Sequence, residues 1–237
     1  MQDYHAEKLL AAEASLEFIQ DGMTVGLGSG STAACMIGLL AGRVRDGLKI
    51  EGVPTSNRTL YLAREGGIPL TDFDRVRRLD VAIDGADEFD PELNLIKGGG
   101  GALLREKIVA SAADLFVVIA DSRKQVKRLG AFPLPVEVIP FGWQLTATRL
   151  NELGAEPTLR YDAVNRPLRT AGGNYILDCG FTAISSPKEL AERLDRIVGV
   201  VEHGLFVGYA DIVLMGRGEE VSTFRRNAPS PRLGADV

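Results

Sequence analysis

The sequence predicts an α/β protein: a parallel-sheet domain carrying a smaller, inserted α+β domain. Three observations predict it. From the N-terminus to about residue 130, apolar strand candidates alternate with helix-period segments, the pattern of a parallel sheet flanked by helices. The rhythm changes at the proline-bracketed stretch FPLPVEVIPF, after which shorter elements follow. Near the C-terminus a buried-strand pattern, ADIVLMGR, resumes. On this reading residues 1–130 and 206–224 form the first domain and 131–205 the second. The Pro- and Arg-rich segment 225–237 is expected to be a disordered tail.

The elements follow in order. Residues 4–20 read as a helix with an apolar stripe through Leu9, Leu10, Leu16, Phe18 and Ile19, ended by Asp21-Gly22. Met23 to Leu27 suit a buried strand, and Ser31 or Thr32 suits the cap of the helix after it. KIEGVPTS reads as a second strand ending at Ser56, and NRTLYLAREGG as a helix stopped by Gly66-Gly67. Ile68 to Leu70 suggest a short strand, and DFDRVRR a solvated connection. LDVAID is a third long strand ending at Asp84, the Gly98–Gly101 turn leads into a helix, and DLFVVIAD is a strand ending at Asp121. Four strands thus end in polar residues: Ser29, Ser56, Asp84 and Asp121. Open α/β sheets bind ligands beyond the carboxyl ends of their strands. The middle of the chain reads strand, helix, strand, strand, helix, strand, the ferredoxin-like β-α-β-β-α-β unit in about 70 residues.

Composition excludes several classes of function. The chain of 237 residues is 45% hydrophobic and 25% charged, which places it among soluble globular proteins. A net charge of -5 and the lack of a long basic run argue against nucleic acid as partner. No apolar run is long enough to span a bilayer, and the N-terminus has no signal-peptide pattern. Cys35 and Cys179 lie far apart in apolar contexts, as buried free thiols of a reducing cytoplasm do. His5 and His203 are also far apart, so no His/Cys cluster has metal-ligand spacing; carboxylates could still bind Mg²⁺, but nothing in the sequence requires a metal.

The chemistry concentrates in DGADEFDPELNLIKGGGGALLREKIVA, residues 84–110. Glu106 falls early on a helix, where the dipole favours a charged carboxylate fit to act as general base. Lys97 and the N–H groups of the glycine turn suit an oxyanion. Asp84 and Asp87 suit sugar hydroxyls or proton relay. Upstream, the strand, Gly-Ser loop and helix around Gly28–Thr32 form an anion-binding arrangement. That loop fits neither G-x-G-x-x-G nor a P-loop, and the acid a dinucleotide site wants at the second strand's end is replaced by Thr55, Ser56 and Asn57. Each residue has a bland alternative: Glu106 paired with Arg105 or Lys107 on a helix surface, Asp84 and Asp87 shaping a turn, Lys97 solvated. Their clustering around one glycine turn favours a site for proton abstraction beside a carbonyl through an enediolate, with no cofactor.

At these residues the chain resembles the A-type ribose-5-phosphate isomerase family. The matching motifs are GLGSGSTA (26 to 33), DGADE (84 to 88), KGGGGALLREKI (97 to 108), IADSRKQVKRLGAFPLPVEVIP (119 to 140) and GVVEHGLF (199 to 206). The resemblance implies a Rossmann-like α/β domain with a small ferredoxin-like α+β domain. It implies interconversion of D-ribose 5-phosphate and D-ribulose 5-phosphate through a cis-enediolate, without metal or organic cofactor, in the non-oxidative branch of the pentose phosphate pathway. Glu106 matches the family's base. Ser29, Gly30, Ser31 and Thr32 match its substrate loop, where the phosphate is expected. Asp84, Gly85, Ala86 and Asp87, and Lys97, Gly98, Gly99 and Gly100, match its other substrate-contacting segments. Lys124 matches a lysine that reaches the substrate, and Lys8 a phosphate-contacting lysine. A cytoplasmic homodimer or homotetramer is also implied. The loop reads GSGST where many members have GTGST, which keeps the hydroxyl, and Pro54 stands where small residues are common.

Two other readings are weighed. A sugar-phosphate sensor would need a DNA-reading module, and the fold is expected to begin within the first residues. Among other enzymes of the wider fold, a deaminase would be expected to use a histidine at its site. A coenzyme A transferase would use a glutamate nucleophile, a role open to Glu106.

Overall fold

The computed structural model of the chain describes residues 3–226. In chain order the elements are α1 (Tyr4–Ser15), β1 (Thr24–Leu27), α2 (Gly30–Arg45), β2 (Glu51–Pro54), α3 (Asn57–Glu65), β3 (Leu79–Gly85), β4 (Glu88–Phe89), β5 (Leu95–Ile96), α4 (Leu103–Ala112) and β6 (Ala113–Asp121). They continue with β7 (Leu134–Val138), α5 (Trp143–Glu152), β8 (Glu156–Leu159), β9 (Tyr175–Gly180), α6 (Pro187–Leu194), β10 (Val200–His203), β11 (Leu205–Phe206), β12 (Ile212–Arg217) and β13 (Glu220–Arg225). The chain forms two compact units. One comprises residues 3–86, Arg105–Gln125 and residues 208–226; the other comprises Asp87–Leu104 and Val126–Val207.

The first unit is built on a six-stranded sheet in the order β13-β12-β6-β3-β1-β2. All neighbours run parallel except the β12–β13 edge pair. Alternation along each strand aligns one apolar layer. Leu27 pairs with Ile83, Ile83 with Val117, and Val117 with Ile212. All four are buried and share a core with Met36, Ile37 and Leu40 of α2. Burying each such side chain contributes about 1.5–3 kcal/mol. Helix α1 starts where Asp3 Oδ1 accepts from the N–H groups of His5 and Ala6, and buries its Ala11 and Ala12 face. Glu7 on the same face is fully buried and ties α1 to two turns. Its carboxylate accepts from Ser122 N at 2.9 Å, Ser122 Oγ at 2.7 Å and Gly218 N at 3.1 Å.

The second unit has a four-stranded antiparallel sheet in the order β10-β7-β9-β8, with α5 and α6 in the connections. That is the strand order of the ferredoxin-like unit expected from sequence. A small three-stranded sheet, β11-β5-β4, belongs to the same unit. Glu88 on β4 is buried and accepts from Gly130 N at 2.8 Å and Phe132 N at 2.5 Å.

Several element expectations are corrected. The first helix ends at Ser15, and a 3₁₀ turn over Leu16–Phe18 brings Ile19 into an extended conformation. Residues 68–70 make no strand, only a bridge between Leu70 and Gly52. The two-residue strands β4 and β5 and the edge strand β13 were not expected. Cys179 is buried as expected, and burial beside Asp178 pushes its thiol up to about 12. Cys35 is only half-buried. Strand β13 takes up Arg225, and residues 227–237 of the expected tail lie outside the described residues. Among the described residues no helix is long and apolar enough to cross a membrane.

Two predictions follow from the first unit. A Cβ on Gly216 would overlap the backbone carbonyl of Glu7 and lie 2.6 Å from its carbonyl carbon. Backbone cannot swing aside as a side-chain tip does, so Gly216→Ala is expected to destabilise the fold by about 1–3 kcal/mol, measured by urea unfolding. Asp121 is fully buried. Burial works to raise its pKa, but hydrogen bonds from the Arg123 side chain and backbone, and the charges of Arg123 and Lys124, hold it below its ordinary 3.8. The stabilisation is therefore present above that value and lost as pH falls through the lower folded value. The stability gap between wild type and Asp121→Asn should be full at neutral pH and narrow below about pH 4, as read from urea midpoints.

Candidate active site

In the first unit, the parallel strands β1, β2, β3 and β6 bring their carboxyl ends to one edge of the sheet. Leu27 runs into Gly28 and Ser29, Pro54 into Thr55 and Ser56, and β3 ends on Asp84 and Gly85. Glycine is required at position 28. A Cβ there would overlap the Asp84 carboxylate and stand 2.5 Å from the Asp84 Cα. Gly28 N donates to Ile83 O at 2.9 Å, which presses the two strand exits together.

Asp84 is 3% exposed. Its Oδ1 accepts from Ser29 N at 2.8 Å and Gly85 N at 2.7 Å, so two backbone donors orient a buried carboxylate. The neighbouring hydroxyls lock the loop. Thr55 Oγ1 donates to Leu27 O at 2.9 Å, and Thr59 Oγ1 donates to Gly28 O at 2.8 Å. With the Thr55 proton engaged, the Ser29 hydroxyl donates to Thr55 Oγ1 at 2.7 Å. Ser29 therefore turns both its N–H and its O–H inward, to Asp84 and Thr55.

Donors for an anion remain on the next turn. Gly30 opens α2 with φ +91°, a conformation suited to glycine. The N-cap residue Ser29 makes no side-chain cap hydrogen bond, so the first N–H groups of this 16-residue helix have no capping side chain. Lys8 on α1 reaches the same turn, donating from Nζ to Ser31 Oγ at 2.9 Å, with Asp121 Oδ2 at 4.0 Å. Thr32 is buried, whereas Gly30 and Ser31 are exposed. Lys124 lies in the turn Ser122–Lys124 directly after β6, half-buried. Glu106 stands in the first turn of α4 and is 5% exposed.

Ala86 closes the first unit's strand exit, and the second unit holds Asp87, Lys97 and the glycine turn. Asp87 Oδ2 accepts from Gly99 N at 2.7 Å, and a Cβ on Gly99 would meet that carboxylate. The glycine turn is closed by Gly101 N donating to Gly98 O at 2.9 Å, with φ +101° at Gly98 and +80° at Gly101. Arg160 Nη1 donates to Gly98 O at 2.9 Å and Gly99 O at 3.2 Å, and its guanidinium pairs with Asp178. Lys97 is 2% exposed, so the solvated reading of it fails. Its ammonium lies 5.5 Å from the centroid of the Phe206 ring.

Sequence reasoning had no role for Thr55, Thr59 and Arg160. The hydroxyl-rich TSNRT at the end of β2, where a dinucleotide site places an acid, was the available signal for the first two. Nothing local marks Arg160. Among the described residues, Asp195, Glu202 and His203 place ligand-type atoms within 4.8 Å of one another. His203 Nδ1 accepts from Leu205 N at 3.2 Å, which leaves the ring proton on Nε2, 3.2 Å from Asp195 Oδ1. Glu202 Oε1 lies 4.0 Å from the same nitrogen, and the group includes no predicted site residue.

Comparison with known proteins points the same way. Residues 51–220 match the family model of ribose 5-phosphate isomerase A (phosphoriboisomerase A). The chain is 54% identical over 238 residues to ribose-5-phosphate isomerase A of Cereibacter sphaeroides, spanning 97% of this chain and 95% of that one. The structure of ribose 5-phosphate isomerase A from Methanocaldococcus jannaschii matches with a TM-score of 0.88 at 42% identity, over 92% of this chain and 97% of that one. A D-ribose-5-phosphate isomerase solved in complex with phospho-erythronic acid matches with a TM-score of 0.90 at 43% identity, over the same shares. With the family model spanning well over half of its length and relatives this similar, the chain belongs to the ribose 5-phosphate isomerase A family.

Proposed function

We propose that the chain interconverts D-ribose 5-phosphate and D-ribulose 5-phosphate through a cis-enediolate, with Glu106 as the base, in the non-oxidative branch of the pentose phosphate pathway. The observation that carries the reading is the anion-ready start of α2, with Lys8 beside Ser31, in a chain of a family named for this reaction. A relative at 43% identity holds phospho-erythronic acid, a phosphorylated four-carbon acid.

The phosphate binds at the N–H groups of Gly30, Ser31 and Thr32 and is met by Lys8. Ser29 contributes by shaping that loop through Asp84 and Thr55. Lys124 is a further substrate contact. Asp84, held in one orientation by two N–H groups, takes a sugar hydroxyl and serves ring opening or the relay of a proton between O1 and O2. Glu106 removes the proton from C2 of the open-chain aldose and returns it to C1. The electron pair of the broken C2–H bond moves through the enediolate, O1 gains a proton and O2 loses one. Atoms and electrons balance within the substrate, so no outside oxidant, metal or organic cofactor is called for. Gly85 and Ala86, Asp87, and Lys97 with Gly98, Gly99 and Gly100 are proposed as further substrate contacts. Lys97 has the charge to stabilise the enediolate oxygen. The family resemblance also supports a homodimer or homotetramer and a cytoplasmic location.

Two measurements check this reading. In EDTA, wild type should turn over ribose 5-phosphate, and Glu106→Gln should lose about 10²–10⁴-fold in kcat with KM little changed. Robust turnover by the variant would remove Glu106 from the mechanism, and a wild type that binds without turnover would favour the sensor reading. Lys8→Ala should raise KM about tenfold with kcat nearly unchanged, the signature of a lost ground-state contact to phosphate. A fall in kcat at unchanged KM would contradict that role.

A further inference from the structure

Within the first unit a cleft of about 400 Å³ opens beside the β2 edge of the sheet, between α3 and α4. Its walls are apolar: Val53, Leu60, Leu70, Phe73, Ile108 and Val109 line it. Arg64, Arg75 and Arg105 also line it, against one acid, Asp72. Arg105 is held by Asn57 Oδ1 at 3.2 Å. Among the described residues neither Arg64 nor Arg75 has an ion-pair partner.

An apolar chamber with convergent polar groups is the usual build of a small-molecule site. None of these residues belongs to the phosphate loop, to the Asp84 network or to the proposed base.

We propose that this cleft is a second ligand site, for a small organic anion with an apolar body. The apolar walls cover the body, and the Arg64 and Arg75 guanidinia meet the anionic group. The site depends on no assumption about the isomerase reaction.

Isothermal titration with 1-naphthoate tests it, with ribose 5-phosphate in excess to occupy phosphate-binding groups elsewhere. Naphthoate should bind saturably, and about tenfold more tightly than neutral 1-naphthylmethanol or ring-less acetate. Arg64→Ala/Arg75→Ala should weaken it about tenfold, and Ile108→Trp, which fills the cleft, should abolish it. The proposal is overturned if naphthoate gives no saturable heat, if naphthylmethanol binds equally well, or if the double arginine variant binds like wild type.

Discussion

The joint between β1 and β3 is what the first unit's functional edge depends on. Gly28 lies against Asp84 so closely that no side chain fits between them. The buried Asp84 carboxylate spans the gap by accepting from Ser29 N and Gly85 N. One contact thereby sets three things: the path of the loop into α2, the orientation of an acid at the strand end, and the direction of the Ser29 donors. A buried carboxylate is tolerable only because charge-assisted bonds replace its lost water. Removing either side of the joint leaves a buried group unpaired.

The same device recurs. Glu7 is buried against the backbone of Ser122 and Gly218, and Glu88 against that of Gly130 and Phe132. Glu137 is buried under Thr170 Oγ1 and Asn174 Nδ2. In each case a carboxylate on a regular element pins turns that lack regular hydrogen bonding of their own. Loops so held can present donors outward without first paying the entropy of being ordered. Within the first unit this is how a strand exit, two helix starts and the turn after β6 hold Asp84, Ser31, Lys8 and Lys124 in defined places.

Elements with long apolar runs or strong caps were legible from sequence. The alternation of LDVAID and DLFVVIAD, the Gly-rich starts of α2 and α4 and the proline-bracketed change of rhythm all rest on local backbone and burial preferences. The strands that were missed carry no such signal. At two residues, β4 and β5 are too short to show a period. Strand β13, Glu220–Arg225, is half-exposed along its length, because it needs only one neighbour, β12, to form. The solvated reading of Lys97 was open in the sequence because nothing adjacent to it announces the Phe206 ring or the Gly204 carbonyl that receives its N–H.

The sequence by itself determined the class of fold, the order of its long elements and the identity of the chemical groups. Periodicity, glycine turns and acids at strand ends are properties of short windows, and they mark Asp84, Glu106 and the Gly28–Thr32 loop without any contact map. Only the tertiary structure decided how those groups are held. Ser29 pointing inward, Thr55 and Thr59 fastening the loop and Arg160 clasping the glycine turn all involve residues far apart in the chain. Their bonds exist only once strands lie side by side in one register, and register is set by the summed packing of the core rather than by any local preference.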